Sequence, residues 1–225
     1  MLKYDTGGVF RLCITNVNYS RSEAIFGHAL GCFEANGYFC SMKVTTLDNE
    51  SFVRACGRLE ELTRGFGPDL IVGIATGGEI VAGNMYPRVR HVAVKACRPT
   101  TALKSRCGWF WKLVRHLPMK VCDLMRVVEA ALFNNRKGPL SPIEIADERR
   151  SIIAVAGRIL VIDDAIDSGV TMVRVVEALR QIAPQAKIAK AVVNVTTKKH
   201  LIEPDYRLFP DRRLVRFPWS KDFRG

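Results

Sequence analysis

The chain has 225 residues, 48% of them hydrophobic, which is enough for one full domain with a real core. No apolar run approaches the roughly 18–20 residues of a membrane span. Met1 to Arg11 holds an early Asp5 and no apolar h-region, so no leader is expected and the expected place is the cytoplasm. The net charge is +12, with basic excess over 98–137 and 198–224, and it suits a polyanionic partner. Nucleic acid is allowed by that charge but not favoured, because no nucleic-acid-binding signature accompanies it. Seven cysteines, odd in number and without C-x-x-C spacing, read as buried thiols in a reducing compartment.

Residues 9–46 read as a strand, a helix near Ser22 to Ala35 and another strand. Asp48 or Asn49 caps a helix through Leu62, with Phe52, Val53, Cys56, Leu59 and Leu62 as its apolar positions. Asp69 to Ile74 is a buried strand, Thr76-Gly77-Gly78 a turn, and Glu79 to Tyr86 a short helix. Val89 to Val94 is the next strand. Residues 99–150 interrupt the alternation with Trp109-Phe110-Trp111 and an amphipathic helix over Met119 to Phe133. An insertion of this length is structured or functional. Gly157 to Asp163 is a strand, Thr171 to Ile182 a helix stopped by Pro184, and Ile188 to Val195 a strand. Strands alternating with helices predict an α/β fold with a parallel twisted sheet and right-handed crossovers. Ligands in such sheets bind at the carboxyl ends of the strands, where both glycine-containing turns fall.

The densest chemistry lies at Asp163-Asp164-Ala165-Ile166-Asp167-Ser168-Gly169-Val170-Thr171. Ser168, Gly169 and Thr171 open a helix, whose first amides and dipole favour an anion such as phosphate. Asp163 and Asp164 are acceptors only, suited to sugar hydroxyls or to Mg²⁺ held mainly through water. A capped helix after a strand would explain one acid, but not three acids with Ser-Gly-x-Thr. A sugar phosphate with vicinal hydroxyls satisfies both halves.

This stretch resembles the phosphoribosyl-pyrophosphate (PRPP) motif of type I phosphoribosyltransferases, nearest to those acting on 6-oxopurines (xanthine, guanine, hypoxanthine). Ile71 to Gly78 is similar to that family's pyrophosphate loop, although many members have Arg or Lys where this chain has Thr76. Lys95 and Arg98 end the next strand, as basic residues commonly do there. Pro204-Asp205-Tyr206 and Phe217-Pro218-Trp219 resemble the hood over the base, with Ser220 in place of a Glu and Leu214 in place of the stacking aromatic. The resemblance covers roughly 48–98 and 155–222.

The resemblance implies one phosphoribosyltransferase domain over 1–225. Its core is 48–98 and 155–200, its insertion 99–150, and its hood 1–45 with 201–225. It implies an enzyme of purine salvage that transfers the phosphoribosyl group from PRPP to a nucleobase, releases pyrophosphate, uses Mg²⁺ and forms a homodimer. It assigns Asp163 and Asp164 to ribose hydroxyls and metal, and Asp167 to the base side as general base or orienter. Ser168, Gly169, Val170 and Thr171 would hold the 5-phosphate, and Thr76, Gly77, Gly78, Lys95 and Arg98 the pyrophosphate. Lys198, Leu214, Val215 and Trp219 would line the base, although packing explains Trp219 at least as well. Lys104, Arg106, Lys112 and Arg115 are candidate cations of a catalytic loop. A PRPP- or nucleotide-binding regulator, or a nucleic-acid-binding protein, on the same fold is the alternative.

Overall fold

The computed structural model describes residues 43–96, 121–123, 126–127 and 143–224, all within one compact unit, Cys40–Gly225. The expectations for 1–42, for Arg98, and for Lys104, Arg106, Trp109-Phe110-Trp111, Lys112 and Arg115 lie outside the described residues. So does most of the helix expected over Met119 to Phe133, of which 121–123 and 126–127 are helical.

In chain order the elements are β1 (Lys43–Thr46), α1 (Asn49–Thr63), a 3-10 turn (Arg64–Phe66), β2 (Leu70–Ala75), α2 (Gly77–Gly83) and β3 (Arg90–Ala96). Then come β4 (Ile143–Glu144), α3 (Asp147–Ala154), β5 (Arg158–Ile166), α4 (Val170–Ile182), β6 (Lys187–Val195), β7 (Tyr206–Arg207) and β8 (Arg213–Arg216). The main sheet has the order β4-β3-β2-β5-β6-β7. All its pairings are parallel except that of the edge strand β4 with β3. The expected parallel α/β sheet is therefore present.

Side-chain alternation divides the core into two layers. Ile71, Leu160, Ile162, Ala189, Ala191 and Val193 face α1 and α2, through Phe52, Cys56, Leu59, Val81 and Ala82. Leu70, Val72, Ile74, Ile159, Val161 and Val192 face α3 and α4, through Ile153, Met172, Val175 and Leu179. α1 starts at Asp48, whose side chain accepts from Ser51 N at 2.8 Å and resolves the choice between Asp48 and Asn49. That hydrogen bonding holds the Asp48 carboxyl below the usual range. Cys56 is buried and its thiol is pushed up to about 12 by desolvation, in keeping with an inert core thiol.

Several boundaries differ from expectation. α2 begins at Gly77, two residues early, because it packs directly on the sheet. β5 does not stop at Asp163 but runs to Ile166, because β6 continues beside it through Asn194 and Val195. Residues 143–150, expected within the insertion, instead supply β4 and the start of α3. Outside the main sheet, β1 pairs in parallel with β8, Lys43 opposite Arg213 and Thr46 opposite Arg216.

Candidate active site

The strand order reverses between β2 and β5, since β2 is followed by β3 on one side and lies against β5 on the other. A crevice outside the carboxyl ends of β2 and β5 is where such a sheet takes a ligand. The two motifs meet there because three glycines let α2 lie on the sheet. A Cβ on Gly73 would come 2.8 Å from the Glu79 Cα. One on Gly77 would overlap the Asp164 carboxylate, and one on Gly78 would overlap the Ile162 carbonyl and come within 2.8 Å of the Asp163 Cα. The Gly-Gly pair is thus a contact surface for the acidic strand, beyond its role in the turn. The Ala75–Thr76 peptide bond just before it is cis.

Asp163 is buried and Asp164 half-buried near the end of β5. Asp163 Oδ1 accepts from Asp164 N at 2.9 Å, and Asp164 Oδ1 accepts from Ala165 N at 2.9 Å. Backbone amides thereby orient both carboxylates before any ligand arrives. Asp167 is exposed beyond the strand. Thr196 Oγ1 donates to its Oδ1 at 2.5 Å, and the Thr197 hydroxyl lies 2.9 Å from its backbone carbonyl.

The loop then turns into α4 at Gly169, whose φ of +79° is left-handed and suits glycine. A Cβ there would also press within 3.2 Å of Leu201 N and Ile202 N. No side chain of Gly169 caps α4, and its first turn holds no acid, so its opening amides and dipole remain suited to an anion. Ser168, Val170 and Thr171, half-buried, stand around that terminus. Thr76 is exposed at the end of β2, and Lys95, also exposed, is paired in register with Ala75 beside it.

The proposed base-side residues come from the segment after β6 and from the C-terminal tail. Lys198 is exposed, two residues past Thr196. Leu214 and Val215 are buried in β8, and Val215 belongs to the α1-side core. Trp219 stacks on Phe217 at 4.7 Å between centroids and meets Phe52 edge-on at 5.0 Å, so packing engages its ring. Asp205 of the Pro-Asp-Tyr motif is a brace, accepting from Lys190 N and pairing with Lys190 Nζ, each at 2.8 Å.

Three features escaped the sequence reading. Gly73 carried a signal, since glycine inside a strand points to a close backbone approach. Thr196 and Thr197 carried none, because their partners lie about thirty residues away. The third is an ionic network in the tail. Arg216, 1% exposed, bonds Asp222 through Nε at 2.9 Å, Asp123 through Nη2 at 2.5 Å and Thr46 through Nη1 at 2.8 Å. Arg126 makes a two-pronged pair with Asp222. Burial alone would raise the Asp222 carboxyl, but Arg126 and Arg216 outweigh it and bring it to about 2.

The model of the phosphoribosyl transferase domain matches residues 45–221 of the chain. A purine phosphoribosyltransferase from Pyrococcus horikoshii is similar in structure, at 20% identity and a TM-score of 0.50, over 82% of this chain and 98% of its own. A Neisseria gonorrhoeae protein with bound ppGpp is similar at 16% identity and a TM-score of 0.53, over 80% of this chain and 90% of its own. These likenesses establish the fold, and no curated protein matches in sequence. Matched over most of its length, and with both motifs meeting at the strand reversal, the chain belongs to the phosphoribosyl transferase domain family and is an enzyme of that type.

Proposed function

We propose that the protein transfers the 5-phosphoribosyl group of PRPP to a purine-type nucleobase, with release of pyrophosphate. One observation carries the reading. Gly77 and Gly78 sit directly on Asp163 and Asp164, so a pyrophosphate-side loop and a ribose-side acid pair share one crevice. The opening turn of α4 follows three residues after Asp167, and its first amides suit the 5-phosphate of the same ligand.

In the reaction a base nitrogen forms the bond to C1 of the ribose as the C1–oxygen bond to pyrophosphate breaks. Asp163 and Asp164 accept from the ribose hydroxyls and fix the ring. Gly77, Gly78 and Lys95 are assigned to the departing pyrophosphate, where electrostatic stabilisation contributes most to the rate. Asp167 accepts the proton from, or orients, the attacking base. The donor set fits Mg²⁺. Asp163 and Asp164 offer hard carboxylate oxygens on adjacent residues. That suits an ion bound by one or two carboxylates and by substrate oxygens. Asp163 and Asp164 would hold Mg²⁺, mainly through water, and the ion would supply positive charge beside the pyrophosphate.

The purine assignment rests on the tail motifs and on the P. horikoshii likeness, whose protein is a purine enzyme. A homodimer follows from the resemblance alone. A reducing cytoplasm fits the buried Cys56 and Cys122, and no helix among the described residues is long and apolar enough to cross a membrane. A nucleotide-binding regulator is the second reading, favoured by the N. gonorrhoeae protein that holds ppGpp. Pyrophosphate release from PRPP with Mg²⁺ and hypoxanthine, guanine, xanthine, adenine or orotate separates the two. Release with a purine supports the enzyme, whereas nucleotide binding with no release from any base supports the regulator.

A further inference from the structure

Asp167 is exposed, yet the structure leaves it little freedom. The segment 196–202 braces the loop from below. Thr196 N donates to Ile166 O at 2.9 Å, and Leu201 N donates to Ser168 O at 2.9 Å. Thr197 Oγ1 meets the backbone carbonyl of Asp167 at 2.9 Å, and Leu201 and Ile202 press against Gly169. Within this brace one contact reaches a reacting side chain rather than backbone. Thr196 Oγ1 lies 2.5 Å from Asp167 Oδ1 and 3.3 Å from Ile166 O.

A hydroxyl has one proton to give. The Ile166 carbonyl already receives the Thr196 amide, and a carboxylate is the stronger acceptor, so the proton goes to Asp167. Thr196 is itself 7% exposed and Thr197 4%, so neither hydroxyl has water as an easy alternative. The β-branched Thr196 side chain is also stiff about its first torsion. The consequence is directional. With Oδ1 taken, Oδ2 has no hydrogen-bond partner among the described residues and is the oxygen available to the incoming base.

We infer that Thr196 is a positioning residue for the base side of the reaction, holding the Asp167 carboxylate so that Oδ2 alone meets the nucleobase. The inference rests on the proposed role of Asp167 and deepens it. It does not involve the ribose and phosphate sites, which belong to Asp163, Asp164 and the α4 terminus.

That division gives the test. Wild type, Thr196→Val and Thr196→Ser are compared in pyrophosphate release and in calorimetric binding of ribose 5-phosphate and of inosine 5′-monophosphate. Valine keeps the shape and removes the proton donor, while serine restores it. Loss of a charge-assisted hydrogen bond should lower kcat and inosine-monophosphate affinity roughly ten-fold or more in Thr196→Val. Ribose 5-phosphate affinity should stay within about two-fold, and Thr196→Ser should recover most of the loss. Unchanged kcat and nucleotide affinity in Thr196→Val would overturn the inference alone. So would a parallel loss of ribose 5-phosphate binding, which marks general loosening, or a serine variant as poor as valine. A wild-type protein that binds neither ribose 5-phosphate nor PRPP would overturn the reading of the whole site, and this inference with it.

Discussion

At the crevice, α2 reaches β5 because Gly73, Gly77 and Gly78 carry no Cβ, and Asp167 is held by a threonine hydroxyl. At the C-terminal tail, Asp222 is held between two guanidinium groups, and Arg216 bridges β8 to Asp123, about ninety residues earlier in the chain. The first region is built from close backbone approach, the second from buried charge. Close approach goes with carboxylates that backbone amides orient. Buried charge neutralises its carboxylates completely and contributes only if every partner stays in place. The proposed site, with pyrophosphate at its glycine loop and sugar at its acids, is better served by the first kind of support.

Breaking the tail should cost most. Arg216→Ala leaves the buried Asp222 with Arg126 alone and takes a cation from the half-exposed Asp123, and should destabilise the fold by about 3 kcal/mol, read by urea denaturation. Losses below about 1 kcal/mol would mean that the network is solvated and that the contrast between regions is wrong.

Gly78→Ala is the corresponding break at the crevice. Its methyl group meets the Ile162 carbonyl and the Asp163 Cα, so β5 or α2 must shift. The expected cost is roughly 1–3 kcal/mol in stability, with PRPP affinity lost more steeply than stability because the acids move with β5. An alanine variant that binds PRPP normally would show that the two loops do not depend on this approach.

Acid separates the regions without mutation. The folded Asp222 carboxyl, at about 2, lies below an unfolded value near 3.9. Its contribution, roughly 2–3 kcal/mol, is present above pH ~4 and is lost as pH falls toward ~2. Stability measured from pH ~5 downward should therefore fall more gently in Asp222→Asn, which starts lower, than in wild type. Parallel curves for the two proteins would contradict the assignment.

The same contrast explains what the sequence could reveal. The crevice is written locally. Four apolar residues before Asp163, the Ser-Gly-x-Thr turn and the Gly-Gly pair are each readable within a dozen residues, and the fold followed from their alternation. The end of β5 was misplaced because Asp163 to Ile166 stay in the sheet only through pairing with β6. Thr196 was invisible for the same reason. The tail read as a hood over the base, and its ionic network was missed because nothing in Arg216 or Asp222 announces a partner at Asp123 or Arg126.

The most direct test of the account is PRPP binding and pyrophosphate release by the Asp163→Asn/Asp164→Asn protein beside wild type. Both side chains keep their shape and lose their charge, so the fold should survive, as far-ultraviolet circular dichroism would confirm. The account predicts turnover lower by at least about a hundred-fold and weaker PRPP binding. Unchanged turnover in the double variant would contradict it.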